Sequence, residues 1–260
     1  MPGDLRVSLR SSLPAYDPDE LPVLVLVHGA GMDASVWDAQ LAVLAASGIP
    51  ALAPSFPGHG LSQGTPLERI SALASWLLRL TEAIGGKRWT VAGHSMGALV
   101  ILEAALHAPD RIAGLALIGA ALTMPVNPDL MAAAREDLPK AAALISRWGH
   151  GAKARADGRA ELGRRRLESS APGVLASDLA ACAEYGGPSM PLSRIGCPTV
   201  VIAGAEDRMT PPEKSRVLAR ALPRAEFIEI PEAGHMLMAE APDAIANVLA
   251  RIAKMKEPGG

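Results

Sequence analysis

Gly93-His94-Ser95-Met96-Gly97 lies between an apolar run, Trp89-Thr90-Val91-Ala92, and a helix-compatible stretch, Ala98 to Ala108, with apolar Leu99, Leu102, Ala105 and Leu106. Strand, Gly-x-Ser-x-Gly and helix in that order form a nucleophile-elbow arrangement. The glycines have a steric reason. A serine on so sharp a turn holds a strained backbone, and side chains two residues either side would strike neighbouring main chain. The turn lifts the Ser95 hydroxyl out of the sheet, and the N-terminus of the following helix favours negative charge there. The plainer alternative is a glycine-rich turn with an incidental serine. A base, an acid and an oxyanion donor at the ends of other strands decide between the two.

Outward from the elbow, Val23-Leu24-Val25-Leu26-Val27 is a continuous apolar run, as expected of a strand covered on both faces of a parallel sheet. It ends in His28-Gly29-Ala30-Gly31, which fits a loose dinucleotide fingerprint. That motif needs an acidic residue at the end of the next strand, about 20 positions on. The next strand, Ile49 to Phe56, closes on Ala53-Pro54-Ser55-Phe56 without a carboxylate. An oxyanion loop is the better reading, with the backbone N–H groups of Ala30 and Met96 facing the oxygen that gains charge. His28 and Trp37 then brace the loop. Downstream, Gly114 to Gly119 and Pro198 to Ala203 read as buried strands, and Glu226 to Ile230 as the last one. Asp207 follows the second of these and His235 follows the third, the ends at which open α/β sheets carry their sites. Glu206 adjoins Asp207, and both side chains cannot face His235.

Elsewhere, Leu5 to Arg10 reads as a short edge strand, Pro14 to Pro22 as polar turn, and Pro57 to Ser62 as a turn in which His59 is structural. Leu67 to Ile84 is amphipathic and ends at Gly85-Gly86, as helices commonly do. Between Met124 and Pro191 strand-like runs vanish. Helix-compatible stretches take their place: Asp129 to Asp137, Pro139 to Trp148, Arg155 to Glu168 and Val174 to Tyr185. Residues 124–191 are therefore expected to be an inserted helical cap on a core made of residues 1–123 and 192–260. Trp148, Met124 and Met236 are the candidate substrate-binding residues. Methionines beside the motifs (Met32, Met96, Met209, Met236) and few aromatics suggest an adaptable aliphatic pocket. His94 is expected to point into supporting structure, Arg164-Arg165-Arg166 to be a solvated helix face, and Cys182 a buried thiol. Asp243 to Ile252 is a closing helix, and Lys256 to Gly260 should fray.

The 260 residues are 49% hydrophobic and carry a net charge of −2 with both signs mixed, which argues against nucleic acid or an anionic membrane as partner. The first residues lack a basic-then-apolar leader, and Ile112 to Val126 is too short to span a bilayer. Cys182 and Cys197 form no metal spacing and suit free thiols in a reducing compartment, so the expectation is a soluble cytoplasmic protein with no metal and no cofactor. Oligomeric state is left open.

Taken together, the His28-Gly29 loop with Trp37, Pro57-Gly58-His59-Gly60, the elbow, Gly204-x-Glu206-Asp207 and Gly234-His235 resemble the α/β-hydrolase superfamily over the whole chain, in its serine-nucleophile carboxylesterase and lactonase branch. The resemblance implies an α/β fold with a mostly parallel central sheet of up to eight strands, flanked by helices. It makes Ser95 the nucleophile, His235 the base, Asp207 the orienting acid, and Ala30 and Met96 the oxyanion donors. A serine at the elbow argues against the dehalogenase and epoxide hydrolase branches, and Met236 after the histidine argues against carbon–carbon bond hydrolases. A small carboxylic ester is the first substrate class implied, with lactone hydrolysis and cofactor-free perhydrolysis behind it. A ligand receptor on the same fold is the alternative of a different class.

Overall fold

The computed structural model describes residues 6–13 and 23–255. The turn expected at 14–22 and the fraying expected at 256–260 lie outside the described residues, as does Leu5 of the expected edge strand. Seven strands form one sheet among the described residues: β1 (Leu9–Ser11), β2 (Val23–Val27), β3 (Ala51–Pro54), β4 (Trp89–His94), β5 (Ile112–Ile118), β6 (Thr199–Gly204) and β7 (Ala225–Ile230), ordered β1-β3-β2-β4-β5-β6-β7. Only β1 runs antiparallel to its neighbour. The register sets Val25 beside Val91, Val91 beside Leu115, and Leu117 beside Val201.

Eleven α-helices surround or overlie this sheet among the described residues: α1 (Asp38–Ala46), α2 (Ile70–Ile84), α3 (Met96–His107), α4 (Pro128–Glu136), α5 (Leu138–Gly149), α6 (Ala152–Ala156), α7 (Arg159–Glu168), α8 (Val174–Glu184), α9 (Pro212–Ala221), α10 (Leu237–Glu240) and α11 (Pro242–Ala253). The period of two in a strand explains why β2 is apolar at every position. Val23, Val25 and Val27 face one core with α2 and α3, while Leu24 and Leu26 face the other with α1 and α11. Helix α3, between sheet and α2, is buried along nearly its whole length, so a leucine such as Leu99 contributes roughly 1.5–3 kcal/mol by burial alone. At the sheet's far edge β7 alternates between half-buried and exposed positions.

A third apolar cluster joins α4, α5, α7 and α8 to Met236. The stretch read as one helix from Arg155 to Glu168 is two, α6 and α7, because Gly158 adopts φ +86°. Helices α1, α9 and α10 have no counterpart in the sequence reading. Among the described residues no helix is long and apolar enough to cross a membrane.

Candidate active site

Ser95 ends β4 and starts α3 with φ 53°, a positive value that serine rarely adopts and that costs on the order of 1–3 kcal/mol. Two close approaches make the flanking glycines obligatory. A Cβ on Gly93 would sit 2.3 Å from the Gly97 carbonyl oxygen, and one on Gly97 would sit 2.4 Å from that of Val27. The Ser95 N–H donates to the Ile118 carbonyl at 2.9 Å, fastening the strained residue to β5. Its side chain stays half-exposed and lines a cavity of about 540 Å³.

Asp207 and His235 come from the loops after β6 and β7 and meet beneath that cavity. His235 Nδ1 donates to Asp207 Oδ2 at 2.8 Å, and both residues are buried. The Thr210 hydroxyl also donates to Oδ2 at 2.7 Å, while Oδ1 accepts from the Met209 and Thr210 N–H groups, each at 2.8 Å. Burial opposes ionisation of this carboxyl. The charge and hydrogen bond of His235 and the two bonds from Thr210 outweigh it and hold Asp207 below the ordinary 3.8. Gly119 has φ +59°, and a Cβ there would lie 3.1 Å from His235 Nδ1, so the glycine leaves room for the imidazole. Glu206 turns elsewhere: its Oε2 accepts from Ala152 N–H at 2.7 Å, at the start of α6.

The His235 backbone is held from above and below. Its N–H donates to the Gly149 carbonyl at 2.7 Å, and the Met236 N–H to the same oxygen at 3.1 Å, which satisfies a carbonyl at the end of α5. Glu240 accepts from the N–H groups of Gly151, Gly234 and Met236 at 2.8, 3.0 and 3.1 Å. His94 differs from expectation in part. Its Nε2 donates to the His235 carbonyl at 2.9 Å, which is a bracing contact, yet the ring also lines the cavity. Burial and the neighbouring His235 push its pKa down to about 3. His28 is likewise neutral, with Nδ1 donating to the Gly29 carbonyl at 2.9 Å and Nε2 accepting from Phe56 N–H at 3.1 Å.

Ala30, Met124, Trp148 and Met236 all line the cavity, with Met32, Met209 and Leu130 adding aliphatic and sulfur surface. Met96 is fully buried at the first position of α3, where a backbone N–H has no partner within the helix. Cys182 also lines the cavity, buried and with its thiol pKa raised by desolvation. Arg164 pairs with Glu161 and Glu168, and Arg165 with Glu161.

Thr210, Glu240 and Asp178 were not singled out from the sequence. Thr210 follows Asp207 by three residues, a spacing at which a carboxylate commonly binds local backbone. Glu103 is the one carboxylate of apolar α3, and Asp178 lies in the apolar middle of α8, visible anomalies with no address. Glu103 accepts from Tyr185 Oη at 2.6 Å and from Ser189 N–H at 2.9 Å, tethering the segment after α8 to α3.

Known proteins share this architecture. The chain is 29% identical to RutD of Klebsiella pneumoniae (strain 342), provisionally named a carbamate hydrolase, over 88% of this chain and 90% of that protein. It is 29% identical to the pimeloyl-[acyl-carrier protein] methyl ester esterase of Aromatoleum aromaticum (strain DSM 19018 / LMG 30748 / EbN1), over 88% and 96% of the two chains. Among solved structures, a thermophilic esterase from Thermogutta terrifontis with malate bound superposes with a TM-score of 0.83 at 27% identity, covering 96% of this chain and 93% of that one. The sequence model of the alpha/beta hydrolase family matches residues 24–248, a span that begins in β2, ends in α11 and takes in the elbow, the Asp207–His235 pair and the whole cavity wall, and the chain belongs to that family.

Proposed function

We propose that the protein is a serine hydrolase that cleaves small carboxylic esters through an acyl-enzyme. The observation that carries this reading is the convergence of Ser95 and His235 on one largely aliphatic cavity, with Asp207 hydrogen-bonded to the far side of the imidazole, all three from the ends of strands. Ser95 Oγ attacks the ester carbonyl, and His235 Nε2 takes its proton and returns it to the departing alkoxide. Asp207 accepts the Nδ1–H of His235, which fixes the tautomer and stabilises the imidazolium as it forms. The N–H groups of Ala30 and Met96 stabilise the oxyanion, with Met96 at the positive end of α3. Water activated by His235 then clears the acyl group.

Residues 124–191 act in this reading as a cap on a core of residues 1–123 and 192–260, with Trp148, Met124 and Met236 shaping the pocket. The name of one relative, a methyl ester esterase, supports placing an acyclic ester ahead of a lactone. Cys182 and Cys197 are buried cysteines outside any disulfide, which suits the cytoplasm. The test is turnover on p-nitrophenyl esters of graded length beside simple lactones and a peroxide acceptor, with fluorophosphonate labelling mapped by mass spectrometry. Ester turnover with the label on Ser95 is expected, and Ser95→Ala should lower kcat by about 10⁶-fold while the fold persists. Labelling of another residue defeats the assignment. Faster lactone turnover moves the substrate class, and binding without multiple turnovers would make the protein a receptor.

A further inference from the structure

Helix α8 buries Val174, Leu175, Leu179, Ala181 and Cys182, and among them the fully buried Asp178. A buried carboxylate costs several kcal/mol unless it is paired and hydrogen-bonded. Asp178 Oδ2 accepts from the Gly31 N–H at 2.8 Å and from His59 Nε2 at 2.8 Å. His59 is buried as well, and its Nδ1 faces the Pro57 carbonyl at 3.0 Å. Both of its partners are acceptors, so both ring nitrogens donate and the ring is an imidazolium. Three separate elements thus meet at one buried ion pair: α8, the turn after β3, and the loop after β2.

The peptide gripped by that pair is the one joining Ala30 to Gly31. The loop is wedged there as well as bonded. Gly31 has φ +68°, and a Cβ on it would lie 2.8 Å from Leu175 Cδ1 of α8 and 3.3 Å from Leu167 of α7. The loop's own turn, Met32 N–H to the Gly29 carbonyl at 3.3 Å, is long. Asp178 therefore supplies the short, charged anchor of this loop, from the helical segment that covers the site.

We propose that Asp178 and His59 are positioning residues for acyl transfer: their buried ion pair fixes the Ala30–Gly31 peptide and thereby aims the Ala30 N–H at the developing oxyanion. This rests on the reading of Ala30 as an oxyanion donor. The pairing also carries a pH dependence. The groups facing His59 are Asp178 from α8, His28 from the end of β2 at 5.0 Å between ring centroids, Asp33 from the loop beyond Gly31, and Arg166 of α7, which shares a small cavity with His59 and Asp33. Burial opposes protonation of His59. The hydrogen bond and charge of Asp178, then the Pro57 carbonyl and Asp33, overcome it and hold the imidazole above its ordinary 6.5. The His59 cation that the pair requires is therefore lost as pH rises through the raised value.

The test compares unaltered enzyme with Asp178→Asn and His59→Lys on p-nitrophenyl butyrate across pH, with fluorophosphonate labelling of each. Outright loss of an oxyanion donor costs about 10²–10³-fold in kcat, so a misaimed one should cost roughly 10- to 100-fold in Asp178→Asn with KM changed less than about threefold. Unaltered enzyme should lose kcat on the alkaline side, that limb should be absent in Asp178→Asn, and His59→Lys, which keeps a cation, should move it upward. Label on Ser95 in the unaltered enzyme together with an Asp178→Asn kcat within about twofold, or a change confined to KM, overturns the positioning role alone. Label on a residue other than Ser95 instead overturns the hydrolase reading beneath it. If Asp178→Asn does not fold, the unaltered enzyme and His59→Lys decide: an alkaline limb that is missing, or unmoved by lysine, overturns the proposal.

Discussion

Asp207 and Glu206 are adjacent carboxylates whose surroundings give them different work. Asp207 receives four hydrogen bonds, one of them from His235, whereas Glu206 caps the first turn of α6 through Ala152. Asp207→Asn should lower kcat by about 10⁴-fold, because an amide does not hold the histidine in the tautomer that accepts the serine proton. Glu206→Gln should leave kcat within a few-fold and cost about 1 kcal/mol of stability or less, the usual range for an N-terminal carboxylate. Parallel kcat and urea-unfolding measurements separate the two, and a larger kcat loss in Glu206→Gln than in Asp207→Asn reverses the assignment. At this scale the sequence was readable where chemistry is tied to backbone. The sharp turn at Ser95 is legible from its glycines, and the meeting of Asp207 and His235 from their places after strands. Asp178 and Glu240 were opaque because their partners Gly31 and Gly151 lie 147 and 89 residues away, separations that no local pattern encodes.

Helix α5 meets the site at both its side chains and its end. Trp148 lines the cavity, half-buried, and the next carbonyl, that of Gly149, accepts the N–H of His235. Helix α5 therefore shares in holding the histidine loop, a coupling that a simple division into core and substrate-selecting cap does not contain. Side chain and backbone should separate experimentally. Trp148→Ala removes a large ring from the wall and leaves the Gly149 carbonyl in place, so the ranking of acetate, butyrate and octanoate p-nitrophenyl esters should shift toward longer chains while fluorophosphonate still marks Ser95. An unchanged ranking would make Trp148 packing only. Loss of labelling in a folded variant would show that α5 orders the histidine through its side chains. The boundaries of these helices were legible to within a few residues from Pro, Gly and apolar spacing. The break at Gly158 was not, because a single glycine inside a helical pattern is tolerated as often as it interrupts.

Over the whole molecule, the apolar strands β2 to β6 made the sheet legible because each is covered on both faces, and the family match spans nearly the same residues. Helices α1 and α9 escaped notice for the opposite reason: they lie on the outside, where α9 mixes four buried residues with charged ones. What composition does not reveal is how the histidines are distributed between neutral and charged forms, and this sets the acid limit of the fold. His28 and His94 are fully buried, and desolvation, helped by a neighbouring histidine, takes each from 6.5 down to about 3. His150 is lowered as well, by burial. A histidine that stays neutral in the folded state while the unfolded chain takes up a proton contributes stability at neutral pH that is lost as pH falls below the unfolded value. For His28 and His94 that window runs from pH 6.5 toward 3, at roughly 1.4 kcal/mol per pH unit for each residue once the unfolded form is protonated. Asp207, with its carboxyl held below 3.8, adds a loss of the same sign only at lower pH, near and below its unfolded value. The urea midpoint should therefore drop steeply between pH 6.5 and 4.5, well before the carboxylates titrate. Potentiometry over the same range should record about two protons or more taken up on unfolding. A midpoint flat across that interval would mean that His28 and His94 are protonated in the folded protein, and with that the neutral bracing of the loop after β2 and of the His235 backbone would fall.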